Sequence, residues 1–539
     1  MGRLALSGSC PSSKATAGGG SGSAKSEPVT GLSECAADGS VSLLAYGKGS
    51  SSQCNDDSQA CQTMKNSGPD LPEDILCHIH FLMPLRDAAR AACVSRAFLY
   101  SWRHRPNITV SNAELGLDKN ARQKDKQYYE IERDFTSTVD HILSKHSCVG
   151  LKVLKIEFGY LYDAKSYCFL NNWLKAFVTP LLEELTLLLP SNEPLYNFPC
   201  SVLSGWGGRS IKNLNLSSCV FSPIVGPIWL RNLKSMHLHQ VRLTGDELGC
   251  LLSSSLALER LHLSHCNEII CFKIPCQLRQ LSYLEVFQCN RLEAVEIKAP
   301  NISGFHFSGR HVELSLGKPL DEKEPEGTSC TVCDTSANLA SLMPNLKTLT
   351  VSSTCQMFNT PMAPFKFLHL KHLSISLLGE TLSYAYDYRS LVYFLAAAPS
   401  LETFILGASH LRMLEQLRME NGSVIGKDPP LVKKMPERHH RSLRSVMITS
   451  FCSSKSLVDL TCHILENAAA LECLTLDTTC GFPRCSVNKF GRCFAIEKDG
   501  IMEAHKALMA IREYIEGKVP PTVKLNVIGP CSVCHALEL

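Results

Sequence analysis

Apolar residues along most of this chain follow one short pattern. An apolar residue is followed by any two residues, a second apolar residue, any one residue, and a third apolar residue. The pattern occurs thirteen times between positions 151 and 476. Its copies are Leu151-Leu154-Ile156, Leu182-Leu185-Leu187, Ile211-Leu214-Leu216, Leu233-Met236-Leu238, Leu258-Leu261-Leu263, Leu281-Leu284-Val286, Leu292-Val295-Ile297, Ile302-Phe305-Phe307, Leu346-Leu349-Val351, Leu370-Leu373-Ile375, Leu401-Phe404-Leu406, Leu443-Val446-Ile448 and Leu471-Leu474-Leu476.

The spacing of these copies indicates the architecture. The central residues Leu214, Met236, Leu261 and Leu284 follow one another at intervals of 22, 25 and 23 residues. Such intervals, with a cysteine three residues after several copies, are typical of leucine-rich repeats, in which each copy forms one short strand. The sequence therefore predicts an irregular repeat solenoid of the α/β horseshoe class. It predicts repeats over residues 151–480 and a C-terminal cap region over 481–539.

A different pattern occupies residues 67–110. Ile75, Ile79 and Leu82 recur at helical spacing after Pro72, which suits the first turn of a helix. Pro84 ends that helix, residues 86–94 form a second, and Ser95 is placed to cap a third. Three helices of this size bury too little apolar surface to stand alone comfortably. They either pack on the rest of the chain or keep an apolar face for a partner.

The remaining segments complete the predicted organisation. Residues 1–66 are rich in Ser and Gly and are expected to form a disordered tail. Residues 111–150 are expected to form a helical linker, with an amphipathic helix over 128–143 that caps the repeats.

Composition excludes several classes of function. The chain has 539 residues and a net charge of +3, which argues against binding nucleic acid or an anionic membrane through bulk charge. No run approaches the roughly 20 apolar residues of a membrane helix. The 26 cysteines are scattered, as expected of reduced thiols in the nucleus or cytoplasm.

Residues 71–102 resemble a plant F-box. The resemblance lies in Leu71-Pro72-Glu73-Asp74-Ile75-Leu76, then Leu82-Met83-Pro84-Leu85-Arg86-Asp87, then Val94-Ser95-Arg96 and Trp102. Ala97-Phe98-Leu99 departs from the Arg-Trp-Arg run of many plant members, which puts one charged contact in doubt. With the repeats behind it, the chain is similar to plant F-box/leucine-rich-repeat proteins, and its C-terminal stretch resembles that of grass members.

This resemblance implies a partner and a role. An F-box docks onto a Skp-type adaptor, which is bridged to a cullin and a RING protein. The chain would then be a non-catalytic substrate-recognition subunit of an SCF-type E3 ubiquitin ligase. The alternative is an interaction scaffold that assembles with no ligase. By motif position, the expected adaptor contacts are Leu71, Pro72, Ile75, Leu76, Ile79, Leu82, Leu85, Val94, Ser95 and Trp102.

The repeat strands predict a second surface. In each strand the residue between the last two apolar positions faces outward, because side chains alternate between the two faces of a sheet. This outward row is Lys155, Thr186, Asn215, His237, His262, Glu285, Glu296, His306, Thr350, Ser374, Ile405, Met447 and Thr475. Within it, Asn215, His237, His262 and Glu285 are the candidates to face a target protein. The same patch is also compatible with a zinc site or with ordinary polar surface.

Two Cys-x-x-Cys pairs are the remaining chemical signals. Cys531-Ser532-Val533-Cys534-His535 matches the c-type haem attachment pattern, but nothing in the sequence indicates an exported chain. Cys330 and Cys333 lie about 200 residues earlier, whereas the pairs of a continuous zinc ribbon lie within roughly 15–20 residues of each other. The sequence therefore predicts no cofactor and no metal. It also shows no nucleophile-elbow, P-loop or metalloprotease motif, which leaves an enzymatic function without a named nucleophile or base.

Overall fold

A computed structural model describes most of the chain after position 71. The described residues are 72–115, 128–158, 167–204, 207–223, 230–309, 312–315, 339–353, 366–378, 387–409, 439–479, 493, 496 and 498–535. The expected tail 1–66, Leu71 and the pair Cys330 and Cys333 lie outside them. All described residues fall within one compact unit, Asp70–Leu539.

Parallel strands stacked side by side form the main sheet. In the described residues it has fourteen strands, and each pairs with the strand of the next repeat. They are β1 (Asn107–Val110), β2 (Val153–Glu157), β3 (Glu184–Leu188), β5 (Asn213–Ser217), β7 (Ser235–His239), β8 (Arg260–Ser264), β10 (Tyr283–Phe287), β12 (Gly304–Gly309), β14 (Thr348–Ser353), β15 (His372–Leu378), β16 (Thr403–Ser409), β17 (Ser445–Thr449), β18 (Cys473–Asp477) and β19 (Lys524–Ile528).

Two smaller sheets and a set of helices accompany the main sheet. A three-stranded sheet contains β9 (Cys271–Ile274), β11 (Ala294–Ile297) and β13 (Glu313–Ser315), and a pair contains β4 (Tyr196–Asn197) and β6 (Cys219–Val220). The helices are α1 (Glu73–Leu82), α2 (Leu85–Val94), α3 (Arg96–Arg103), α4 (Asn112–Leu115), α5 (Tyr128–Lys145), α6 (Tyr167–Phe177), α7 (Gly245–Ser254), α8 (Leu391–Ala397), α9 (Lys455–Asn467) and α10 (Lys498–Ala510). A π-helical turn, Ile511–Ile515, continues α10.

The apolar positions of the repeats stack in register through the interior. Leu214 pairs with Met236, which pairs with Leu261, which pairs with Leu284, and each is fully buried. Burying a side chain of this size contributes about 1.5–3 kcal/mol relative to leaving it exposed. Apolar residues that are one repeat apart in the sequence are therefore neighbours in the buried core, and the predicted solenoid is confirmed.

A left-handed residue follows several of the main-sheet strands. Ser218, Gln240, His265 and Gln288 have φ values of 53°, 53°, 54° and 51°. Each donates its backbone N–H to the carbonyl of the last or next-to-last residue of the next main-sheet strand, and this hydrogen bond offsets the steric cost of the conformation. A buried cysteine comes next after three of these residues, and Cys266 Sγ lies 3.4 Å from the Leu238 carbonyl oxygen. This turn explains the cysteine three residues after the last apolar position.

One predicted repeat strand lies elsewhere in the fold. The triplet ending in Val295-x-Ile297 forms β11, which pairs with β9 and β13 and not with the main sheet. In the main sheet β10 pairs directly with β12. The cause is spacing, because about ten residues separate Val295 from each neighbouring copy and a full repeat requires 20–29. Glu296 is therefore not a member of the outward row of the main sheet.

The main sheet also extends beyond residues 151–480. Strand β1 begins at Asn107, four residues after α3 ends, and pairs in parallel with β2. At the other end β19 pairs with β18. The Lys152 N–H donates to the Pro106 carbonyl at 2.7 Å, and the Ser147 N–H donates to Arg103 at 3.0 Å. The helical segment 73–103 is thereby joined to the repeats by sheet hydrogen bonds.

Two buried polar side chains hold helices α1, α2 and α3 together. His80 is fully buried, with Nδ1 3.0 Å from Ser101 Oγ on α3 and Nε2 2.9 Å from the Ala88 carbonyl on α2. Arg105 donates to the carbonyls of His80, Phe81 and Met83 at 3.1, 3.0 and 2.8 Å. These carbonyls lie at the C-terminal end of α1, where a helix leaves carbonyls without intrahelical partners, and the His80 carbonyl also accepts from the Met83 N–H at 3.3 Å. Arg105 therefore caps that helix with a charge that its dipole favours.

Removal of the Arg105 guanidinium is expected to loosen α1. Each hydrogen bond to a charged group contributes about 1.5–3 kcal/mol, so Arg105→Ala should raise amide exchange rates in Glu73–Leu82 by at least about tenfold. Hydrogen–deuterium exchange of the full chain measures this. Arg103→Ala, which removes an exposed guanidinium from the last turn of α3, is the matched control. Equal exchange in both variants would contradict the capping role.

Candidate functional site

Helices α1, α2 and α3 present an unusual amount of apolar surface. Six of the seventeen large hydrophobic side chains that are exposed among the described residues lie between positions 75 and 100. They are Ile75, Ile79, Leu82, Val94, Leu99 and Tyr100. Exposed apolar side chains grouped in one segment make that segment a candidate interaction surface, whereas single ones are ordinary.

The exposed residues of α1 share one side of the helix. Ile75, Ile79 and Leu82 follow one another at steps of four and three residues and are 43%, 42% and 74% exposed. The opposite side of α1 carries His80, which is fully buried against α2 and α3. Sequence and packing together therefore leave an apolar face of α1 open to solvent.

The other expected adaptor contacts differ in their exposure. Pro72 and Val94 are exposed, and Leu76 and Ser95 are half-buried. The Ser95 hydroxyl accepts a hydrogen bond from the Phe98 N–H at 3.5 Å, as an N-cap of α3 does.

Two of the expected contacts are interior residues. Leu85 is 2% exposed and Trp102 is 5% exposed. The Trp102 ring meets the His80 ring edge-on, with centroids 6.3 Å apart. Both side chains are therefore buried beneath the exposed face of the helices and are not part of it.

The second candidate surface is the outward row of the main sheet. Strand register places Asn215 beside His237, His237 beside His262, and His262 beside Glu285, as the repeat interval predicts. The rings of His237 and His262 stack, with centroids 3.9 Å apart and planes 12° apart. His262 Nδ1 lies 3.1 Å from Glu285 Oε2. These three side chains therefore form one continuous cluster.

Two further residues complete the cluster. Tyr283 donates its hydroxyl proton to Glu285 Oε2 at 3.1 Å, and His306 Nδ1 lies 3.5 Å from the same oxygen. His306 belongs to the outward row, and Tyr283 lies two residues before Glu285 on the same face of β10. The alternation of strand side chains was the signal in the sequence that could have identified Tyr283.

The cluster holds a carboxylate among hydrogen-bond donors. Hydrogen bonds from His262 and His306 hold the pKa of the Glu285 carboxyl well below its usual range. Burial, with the nearby negative charge of Glu285, raises the pKa of Tyr283 to about 12. Glu285 is therefore a fixed anion at neutral pH, beside a flat stack of two imidazole rings. Such a surface suits a polypeptide that brings a hydrogen-bond donor to the carboxylate and an apolar or aromatic group to the rings.

The charged form of His237 is disfavoured. Burial, together with the adjacent His262 and Arg260, lowers the pKa of His237 to about 4. Its Nε2 lies 2.9 Å from the Ser235 hydroxyl oxygen. The ring is consequently neutral at physiological pH and lies on His262 as an uncharged plane.

Comparison with known families covers most of the chain. Residues 142–532 match the family model described as the leucine-rich-repeat domain of At1g61320/AtMIF1, and residues 69–108 match the F-box domain model. The repeat match covers more than half of the 539 residues. No helix among the described residues has the length and apolar character needed to cross a bilayer.

Individual relatives are distant. The F-box/FBD/LRR-repeat protein At1g78750 of Arabidopsis thaliana is 22% identical over 448 residues, which cover 75% of this chain and 88% of that protein. The F-box/LRR-repeat protein At3g59190 of the same plant is 27% identical over 196 residues, which cover 35% of this chain and 48% of that protein. Among solved structures, the Leptospira interrogans LRR protein LIC12759 is 13% identical, covers 70% of this chain and 90% of its own, and has a TM-score of 0.23.

The pKa of His237 predicts how stability depends on pH. The folded chain holds His237 neutral, whereas the unfolded chain takes up a proton as pH falls below the ordinary histidine value of 6.5. Above pH 6.5 the ring is neutral in both states, and the free energy of unfolding is not reduced by its titration. Between pH 6.5 and pH 4 only the unfolded chain binds the proton, so the free energy of unfolding falls. His237→Gln should therefore reduce the drop in melting temperature between pH 7 and pH 5, both measured by thermal unfolding.

The control for this measurement is an exposed histidine. His505→Gln removes an exposed ring on α10 and should leave the drop in melting temperature unchanged. If His237→Gln and His505→Gln gave the same pH dependence as the parent chain, the neutral state of the half-buried His237 would be refuted.

Proposed function

This chain belongs to the plant F-box/leucine-rich-repeat family, and from that membership we propose that it is the substrate-recognition subunit of an SCF-type E3 ubiquitin ligase. In this proposal the F-box binds a Skp-type adaptor, and through it a cullin and a RING protein. The outward face of the main sheet binds the target protein. The chain itself contributes no chemistry, and it acts in the nucleus, the cytoplasm or both.

The open apolar face of α1 carries the proposal. Ile75, Ile79 and Leu82 lie exposed on a helix whose opposite side is fixed by His80. A helix face of this kind is stabilised when a partner covers it, since each covered side chain contributes about 1 kcal/mol or more. Val94 at the end of α2 and the exposed Pro72 extend the proposed contact, together with Leu71, Leu76 and Ser95.

The target surface is proposed on the cluster around Glu285. It combines a fixed carboxylate, a hydroxyl and stacked imidazoles in adjacent strands. Polar groups that are positioned by their own hydrogen bonds specify a partner with little loss of conformational entropy. Asn215 extends the same row by one strand.

The link between the two surfaces supports a role in proximity catalysis. Strand β1 follows α3 directly and is hydrogen-bonded to β2, so the F-box is not joined to the repeats by a flexible tether alone. A target bound on the sheet would be held at a defined distance from the adaptor. Fixing distance and orientation raises the effective concentration of the target's lysines at the ubiquitin-loaded partner.

The adaptor contact is tested with the full chain. Ile75→Ser, Ile79→Ser and Leu82→Ser combined should weaken binding to a recombinant Skp-type adaptor on the order of a hundredfold, because about 1 kcal/mol is lost at each position. Isothermal calorimetry or surface plasmon resonance measures the affinity. The parent chain should also co-purify with cullin and RING protein when all are mixed.

A matched control separates this effect from general loss of apolar surface. Leu181→Ser, Leu256→Ser and Leu368→Ser combined remove three exposed leucines of the repeat region and should leave adaptor affinity unchanged. An adaptor that binds neither the parent chain nor the control would refute the ligase role and favour the scaffold alternative. Equal binding by all three proteins would refute the assigned contact face.

A further inference from the structure

Three cysteine thiols meet at the C-terminal end of the chain. Cys531 and Cys534 follow β19, and Cys493 lies before α10. Their Sγ atoms all lie within 4.8 Å of one another. Cys493 and Cys531 are half-buried, Cys534 is exposed, and none of the three is in a disulfide. The fold has therefore gathered thiols that are 38 residues apart in the sequence.

The local backbone explains how two of the thiols converge. The His535 N–H donates to the Cys531 carbonyl at 2.9 Å, so residues 531–535 form a single helical turn. In such a turn, side chains three positions apart lie on the same side. Cys531 and Cys534 are thus directed to one point, as in the paired-cysteine turn of a zinc knuckle.

The distances suit a shared metal ion better than a disulfide. Thiolates bound tetrahedrally to zinc at about 2.3 Å lie roughly 3.8 Å from one another, so the separations here need shifts of about 1 Å or less. A disulfide needs one pair at about 2.05 Å and would leave the third thiol without a role in the cluster. Three soft sulfur donors favour zinc over magnesium or calcium, which prefer oxygen.

We propose that Cys493, Cys531 and Cys534 form a structural zinc-binding site. Each thiol binds as a thiolate and releases its proton to solvent. The ion takes its fourth ligand from outside these three side chains. By tying the segment before α10 to the segment after β19, it stabilises β19, which is the terminal strand of the main sheet in the described residues and pairs there with β18. The proposal is independent of the ligase role, since it concerns stability at the end opposite α1.

The test uses the full chain, purified under reducing conditions without chelator. Elemental analysis should find one zinc ion per chain, and cobalt exchanged for zinc should give thiolate charge-transfer bands with tetrahedral d–d absorption. Cys493→Ser, Cys531→Ser and Cys534→Ser combined should lose both the zinc and the bands. Cys250→Ser, Cys271→Ser and Cys276→Ser combined remove three exposed thiols elsewhere and should keep both.

A second measurement applies if the site variant does not fold. Chelator should lower the melting temperature of the parent chain and of the control variant, and added zinc should restore it. Parent chain without zinc and without cobalt–thiolate bands would overturn the proposal, as would zinc that persists in the site variant. A disulfide within the cluster that persists in the chain purified under reducing conditions, found by mass spectrometry, would overturn it as well.

Discussion

The parallel pairing of one repeat strand with the next is the constraint on which the rest of the structure depends. Each strand of the main sheet between β1 and β19 pairs with a neighbour on both sides, so a repeat is stable only when stacked. The same register aligns buried leucines inside and the outward row outside. Because one interval governs both, the cluster of His237, His262 and Glu285 is a consequence of the core spacing.

Strand pairing also determines which parts of the chain form the interior and which form the two candidate binding surfaces. Strand β1 brings the helical segment into the sheet, and Arg105 caps α1 while donating to the Asn107 carbonyl at 3.1 Å. Within the helical segment His80 and Arg105 make the internal polar contacts, and one face of α1 is left apolar and exposed. The main sheet has the opposite arrangement, with an apolar interior and a polar outward row. Two surfaces of different chemistry result, as two different partners would require.

Sequence reasoning predicted what depends on local pattern and missed what depends on contacts between distant segments. The repeat triplets and the three helices were predicted because the spacing of apolar residues along the chain follows directly from which side chains are buried. Glu296 was misplaced because a triplet does not show which sheet its strand joins. Leu85 and Trp102 were predicted as adaptor contacts, although both are buried, because motif position does not show which way a side chain points. His80, Arg105 and Cys493 were missed because their partners are remote in the sequence.

The most direct test of the account is a cryo-electron microscopy structure of the full chain bound to a Skp-type adaptor and the cullin. The account predicts that the adaptor covers Ile75, Ile79 and Leu82, with Trp102 still buried. It also predicts that the row from His237 to His306 is uncovered and accessible to a target. An adaptor bound across that row, or one that leaves the exposed face of α1 free, would contradict the division of the chain into an adaptor surface and a target surface.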